Sequence, residues 1–215
     1  MSILITGANR GIGLALAKLY RAQGAEVLGT ARRDGEADIV ADMSDPASIR
    51  AMADSLGGRP VETLVCNAGV YLDKGQKIED GFAPDLWAQT FAVNVTGVFL
   101  TVQALLDNLR AAEGAKIAII SSQMASSTRA TGGSYIYRSS KAAVLNLGRN
   151  LAQDLKGDGI AVGIYHPGWV QTDMGTAAAD IDVATSVEGL ITEIDKLSLA
   201  TTGVFASYDG SDMPY

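Results

Sequence analysis

Cysteine and histidine are almost missing from this chain, with Cys66 and His166 the sole examples of each. One cysteine excludes a disulfide framework within the chain. Without Cys and His at ligand spacing, a structural or catalytic metal site is not expected either. Cys66 lies in the apolar run Thr63-Leu64-Val65-Cys66, where it reads as a small buried strand residue. Long hydrophobic runs are lacking too, and none reaches the length of a membrane span. Basic residues are outnumbered, 17 Lys and Arg against 24 Asp and Glu, giving a net charge of −7. No cluster of them builds the basic face that nucleic-acid binding requires. No charged leader precedes the first apolar run, Ile3-Leu4-Ile5, so no signal peptide is read and a cytoplasmic location is expected by elimination.

What remains is an ordinary globular composition, 47% apolar and 19% charged over 215 residues. No linker, repeat or low-complexity tract interrupts it, so residues 1–215 are expected to form one domain. Short, nearly continuous apolar runs at Ser2–Thr6, Glu26–Thr30, Asp38–Val40, Thr63–Cys66, Lys116–Ser121, Ala161–Tyr165 and Val204–Ala206 suit strands buried on both faces. Helical stretches lie between them. Gly13–Ala22 ends at Gly24, Ser48–Leu56 follows the start signal Asp45-Pro46, and Pro84–Leu109 and Tyr135–Lys156 are long. Thr185-Ser-Val-Glu188 fits a capping box opening a last helix to Leu197. The alternation predicts an α/β fold, a single doubly wound Rossmann-type parallel sheet of about seven strands flanked by helices on both faces.

Between the first strand and first helix stands Gly7-Ala8-Asn9-Arg10-Gly11-Ile12-Gly13. Glycines there let the backbone turn tightly and approach a pyrophosphate, and the helix N-terminus offers free N–H groups and a positive dipole end. The second strand runs into Ala31-Arg32-Arg33, with no carboxylate where an NAD-selective site would hold the ribose 2′-hydroxyl. Arg32 suits a 2′-phosphate by its planar fork of donors, Arg10 adds a second positive group, and NADP(H) is the expected coenzyme. Asp34, close by, argues the other way.

Tyr137 and Lys141 are one helical turn apart on one face. A free phenol has a pKa of about 10, and a neighbouring ammonium favours its ionised form, as an acid/base working near neutrality needs. Tyr135 is a competing phenol without a lysine four residues on.

These residues stand in company. Thr6-Gly7-x-x-x-Gly11-x-Gly13, Asn67-Ala68-Gly69, Asn94, Ser122, Tyr137-x-x-x-Lys141 and Pro167-Gly168 follow one another in the order seen in the short-chain dehydrogenases/reductases, which the chain resembles over essentially its whole length. The segment Gly132–Lys141 and the ending Met213-Pro-Tyr215 are similar to the compact branch of sniffer-type carbonyl reductases and C-factor-like proteins. The resemblance implies that Tyr137 exchanges a proton with the substrate oxygen and that Ser122 donates a hydrogen bond to it. It implies that Lys141 lowers the Tyr137 pKa and holds the nicotinamide ribose, and that Asn94 holds a water in a proton relay, unless its amide simply bonds backbone. Ser122 precedes Tyr137 by fifteen residues, more than the commoner family interval, and Ser126, Ser127 and Thr128 are alternative hydroxyls. Ser122 is preferred because it follows directly on a strand, where catalytic groups of open sheets gather.

For the coenzyme, the resemblance assigns Gly7, Asn9, Arg10, Gly11, Ile12 and Gly13 to the pyrophosphate turn and Arg32 to the 2′-phosphate. It places Asp42 and Met43 beside adenine, and Asn67, Ala68 and Gly69 along the ribose, with bracing of the sheet as the alternative role of Asn67. Pro167, Gly168, Val170 and Thr172 would meet the carboxamide, with Tyr137 and Lys141 also in contact. His166 is read as structural; Trp169 and Tyr71 are pocket walls or core.

The loop Asp173–Ala184 is short, which predicts an open, weakly selective site for a small or medium carbonyl or alcohol. The resemblance implies pairing through the two long helices, as a homodimer or a tetramer. The rival reading is an NADPH-binding regulatory or signalling protein with little turnover. An epimerase or dehydratase would call for a larger C-terminal substrate region.

Overall fold

A computed structural model describes residues 1–79, 81–175 and 179–215. Seven strands form one sheet: β1 (Ser2–Ile5), β2 (Glu26–Ala31), β3 (Ile39–Val40), β4 (Thr63–Cys66), β5 (Lys116–Ile120), β6 (Ala161–His166) and β7 (Phe205–Ser207). Their order is β3-β2-β1-β4-β5-β6-β7, and every neighbouring pair is parallel. The order reverses between β1 and β4, so a crevice opens at their carboxyl ends, where ligands bind in such sheets.

Alternation along the strands divides the core in two. Ile3, Ile5, Val65, Ala118 and Tyr165 face α1 (Gly11–Ala22) and α7 (Val183–Lys196). Leu4, Leu64, Ile117, Ile119, Val162 and Ile164 face the opposite layer, which includes α2 (Pro46–Leu56) and α6 (Tyr135–Asp154). Helix α7 buries Val187, Leu190, Ile191 and Ile194, an i, i+3, i+4, i+7 stripe. Each fully buried Leu, Ile or Val contributes about 1.5–3 kcal/mol against exposure, so both layers are held to the sheet by their stripes.

Two helix expectations are corrected. The stretch expected as one helix, Pro84–Leu109, is broken into α3 (Pro84–Phe91), a π-helical turn (Ala92–Thr96), α4 (Gly97–Ala104) and α5 (Leu106–Arg110). The wider turn aims Asn94 inward, where its side chain bonds the backbone of Val70, and Gly97 follows because a Cβ there would lie 2.2 Å from the Met43 carbonyl. The last helix is opened by Asp182, not Thr185. The Asp182 carboxylate accepts from the Thr185 N–H at 2.7 Å, and a carboxylate also complements the positive helix end. The loop before α7 is pinched where Gln171 donates to Ile181 and Ile181 to Trp169. Part of the expected short lid, residues 176–178, lies outside the described residues.

Candidate active site

Glycine geometry builds the phosphate turn. Gly7 and Gly11 hold φ of +68° and +53°, which L side chains rarely adopt, and a Cβ on Gly13 would lie 2.2 Å from the Gly7 carbonyl. Helix α1 has no side-chain cap, and the N–H groups of Gly11, Ile12 and Gly13 have no partner among the described residues. Orphan donors at a helix N-terminus beside a glycine cradle fit a pyrophosphate. Arg32 is exposed and makes no ion pair among the described residues, which fits a 2′-phosphate. Asp34 bonds locally to the N–H of Gly35.

The other coenzyme-side residues divide into those free to meet a ligand and those engaged with protein. Arg10 is paired with Asp173 at 2.8 Å, and Asn9 donates to Glu36 at 2.8 Å. Asn67 donates its amide to the carbonyls of Thr6 and Gly7, so its side chain braces the end of β1 against β4. The Thr6 hydroxyl accepts from the N–H groups of Asn67 and Ala68. Burial pushes the Asp42 carboxyl up, but hydrogen bonds from Ser44 and the charge of Arg32 outweigh it and hold the group below its ordinary range. Met43 turns its side chain into the core, against Thr101, leaving only backbone to reach a base. At the far end of the crevice, Gly168 turns the chain at φ +88°, Val170 is buried, and the Pro167 carbonyl is bonded by Ser186. A Cβ on Gly11 would touch the Thr172 methyl at 3.6 Å, so the two coenzyme segments face each other closely.

Tyr137 and Lys141 are buried together on the first turns of α6. Lys141 Nζ lies 5.6 Å from the Tyr137 ring centre and donates to the Ile120 carbonyl at 2.9 Å. Burial lowers Lys141 to about 8. The expectation that its charge lowers Tyr137 is not met in this packing. Burial is the larger influence and holds the phenol above its ordinary value; the neighbouring Ser122 hydroxyl opposes it, and Tyr71 and Asp73 add to it. Ser122 is thus the hydroxyl beside Tyr137, and its Oγ also accepts from the Met124 N–H at 3.1 Å. The long interval between them is taken up by two 3₁₀ turns, Gln123–Ala125 and Ser127–Arg129, and Ser126 between them bonds Thr128.

The side chain of Asn94 makes three hydrogen bonds. Its Oδ1 accepts from the Val70 N–H, and its Nδ2 donates to the Val70 carbonyl and to Ser140 Oγ. Oδ1 keeps one acceptor site open on the side facing Lys141. Gly69 lies between the two, its built Cβ 3.4 Å from Asn94 Oδ1 and 3.6 Å from Lys141 Nζ. Tyr135 packs edge-on against Phe82, 39% exposed and apart from this cluster. His166 is buried and lowered to about 4, chiefly by that burial, so it is neutral near pH 7. Trp169, 44% exposed, donates to the Gly175 carbonyl and pins the following loop.

Of two further residues of the site, Tyr71 is read from the sequence only as pocket wall or core, and Asp73 is not read at all. Tyr71 stacks on Tyr137, ring centres 4.2 Å apart, and its hydroxyl bonds Ser134. Asp73 bonds the backbone of Ile136 and Tyr137 from 63 and 64 residues away, a pairing no local spacing announces. Among the described residues no His, Cys, Asp and Glu cluster could hold a metal ion, and no helix is long and apolar enough to cross a membrane.

The family model described as short chain dehydrogenase matches residues 1–181. The C-signal protein of Myxococcus xanthus is 36% identical over 168 residues, 78% of this chain and 100% of that protein. The NADPH-bound carbonyl reductase from chicken fatty liver matches with a TM-score of 0.91 at 29% identity, over 100% of this chain and 98% of its own. Carbonyl reductase Sniffer of D. melanogaster matches with a TM-score of 0.92 at 28% identity, over 100% of this chain and 99% of its own. The family match runs from the first strand to Ile181, and so takes in the glycine turn, the Tyr137–Lys141 helix and the Pro167–Thr172 segment. On these grounds the chain belongs to the short-chain dehydrogenase family.

Proposed function

We propose that this protein is an NADPH-dependent oxidoreductase that moves a hydride between nicotinamide and a carbonyl or alcohol, with Tyr137 as general acid/base. One observation carries the reading: a phenol, an ammonium and a serine hydroxyl are brought together at the carboxyl end of β5, beside an uncapped glycine turn. The carbonyl reductases that resemble it in structure, one of them NADPH-bound, support the coenzyme and the substrate class.

When bound, the coenzyme supplies or accepts the hydride. Gly7, Gly11, Ile12 and Gly13 would hold its pyrophosphate, Arg32 its 2′-phosphate and Lys141 the nicotinamide ribose. Ser122 already accepts from Met124, so its own proton is free to be donated to the substrate oxygen, where charge grows in the transition state. Tyr137 is held protonated near neutrality, the state required to deliver a proton to a carbonyl oxygen.

The site takes small or medium carbonyl compounds with weak selectivity, the protein works in the cytoplasm, and it pairs as a homodimer through the α4 and α6 layer. Phe99 of α4, 40% exposed, supports that assembly, and light scattering in solution tests it.

The test of the activity is NADPH consumption against a panel of quinones, aldehydes and ketones, repeated with Tyr137→Phe. Turnover is expected, with a loss of about 10²–10⁴-fold in the variant at unchanged coenzyme affinity. An unchanged rate in Tyr137→Phe rejects the mechanism. NADPH binding without any turnover favours a regulatory coenzyme-binding protein, the reading that the likeness to C-signal supports.

A further inference from the structure

The helix that carries Tyr137 is not capped by its own sequence. Ser134, at the capping position, is in the left-handed conformation (φ 48°) and makes no side-chain cap bond; its hydroxyl is bonded to Tyr71. The first N–H groups of a helix have no partner within it, and a buried one left bare costs about 1–3 kcal/mol. Here they are served from a distant segment. Asp73 is fully buried, and its carboxylate accepts from the Ile136 N–H at 2.8 Å and from the Tyr137 N–H at 3.3 and 3.4 Å.

Two contacts thus run from one short segment to one residue. Tyr71 covers a face of the Tyr137 ring, and Asp73, two residues on, holds the Tyr137 backbone. This segment follows directly on Asn67-Ala68-Gly69, so the phenol is tied to the wall assigned to the coenzyme. The negative charge also sits at the positive end of the α6 dipole, where it is stabilised, and it acts on the phenol.

We propose that Asp73 is a positioning residue for Tyr137: its carboxylate, bonded to the amides of Ile136 and Tyr137, sets both where the phenol sits and the charge it feels. The proposal rests on Tyr137 being the acid/base. Lys141 on α6, Tyr71 and Asp73 on the segment after β4, and the neutral hydroxyl of Ser122 after β5 are the groups acting on the phenol. Arg138, the next residue of α6, turns away to Thr131 and the Arg129 carbonyl.

Two variants separate position from charge. Asp73→Asn keeps an acceptor oxygen of the same shape and loses the charge. Its kcat for carbonyl reduction is expected to fall about tenfold or more, with KM for NADPH within about threefold, because the amide keeps one acceptor oxygen but sets an NH2 against the Tyr137 N–H that the second carboxylate oxygen accepts from, and small displacements of a reacting group cost rate rather than affinity. The high-pH limb of its rate profile, to which Tyr137 and Lys141 both contribute, should move to lower pH by about one unit, since removing a negative charge favours phenolate and neutral amine alike. Asp73→Glu keeps the charge but shifts it by one methylene, and should lower kcat with the limb in place. A merely structural cap predicts a lower Tm in both variants with kcat per folded molecule and the limb unmoved, and that result overturns the proposal. The Tyr137→Phe control keeps the two readings apart. If it does not impair turnover, the acid/base assignment fails; if it does and Asp73→Asn is silent, the role of Asp73 alone fails.

Discussion

The Lys141 ammonium lies over the ring of Tyr137, 5.6 Å from its centre, and gives its hydrogen bond to the Ile120 carbonyl, the last residue of β5. The amine is thus anchored to the sheet and buried at a cost in protonation, which brings it from an ordinary 10.5 to about 8. Near neutrality it keeps most of its charge while Tyr137 keeps its proton.

That arrangement has a measurable signature in stability. A lysine whose folded pKa is depressed binds its proton more tightly when unfolded. Between about pH 8 and 10.5 the unfolded chain therefore holds more protons, and stability from this group rises with pH. The full penalty, about 3 kcal/mol, applies below pH 8. Lys141→Met removes it and leaves the Ile120 carbonyl without its donor, which costs about 1–3 kcal/mol. The variant is expected to be more stable than the parent at pH 7 by up to about 2 kcal/mol, to lose that advantage by pH 10, and to turn over poorly. Urea denaturation at both pH values checks it, and a variant less stable at pH 7 than at pH 10, relative to the parent, contradicts it.

Much of this was legible because it is local. Tyr137 and Lys141 share a helix face through a spacing of four, and the glycine turn lies between its strand and helix in one continuous stretch. Strand positions were readable because both faces of the sheet are covered, so the runs are apolar throughout; β4 and β6 are buried at every residue. What escaped the sequence depends on tertiary contact. The apolar pattern of residues 84–109 continues across Ala92–Thr96, and only the docking of Asn94 on Val70 reveals the π-helical turn. Asp73 looks like a loop charge until α6 is laid against it. Thr185 and Asp182 both resemble caps, and the Val170–Ile181 bridge decides between them by fixing where the chain enters α7.

Coenzyme selectivity should reside in Arg32, with Asp173 as a competitor for the second cation. Arg32 is free of ion pairs among the described residues, whereas Arg10 is held by Asp173. Arg32→Ala should weaken NADPH by about 10–100-fold and NADH by no more than about twofold, the loss of a charge-assisted bond to the 2′-phosphate alone. Asp173→Asn releases Arg10 and should tighten NADPH by about two- to fivefold at low ionic strength, a gain that disappears in high salt because both partners are exposed. Fluorescence titration with each coenzyme reads both effects. Equal losses for NADPH and NADH in Arg32→Ala would place the 2′-phosphate elsewhere.

Ser122 is asked to do two things, and its removal should show both. Its Oγ accepts from the Met124 N–H, which starts the 3₁₀ turn, and its hydroxyl opposes the burial that raises Tyr137. Ser122→Ala removes the donor to the substrate oxygen and should lower kcat by about 10²–10³-fold. It also removes an interaction that favours phenolate, so the high-pH limb of carbonyl reduction should move up, opposite to the shift expected for Asp73→Asn. Ser122→Thr keeps the hydroxyl and should restore much of the rate and the original limb. Stopped-flow rates across pH 6–11 give the three profiles together. Opposite displacement of the limb by Ser122→Ala and Asp73→Asn, from two segments that meet only at Tyr137, would locate the titration at the phenol itself. Displacement in the same direction would assign it to another group.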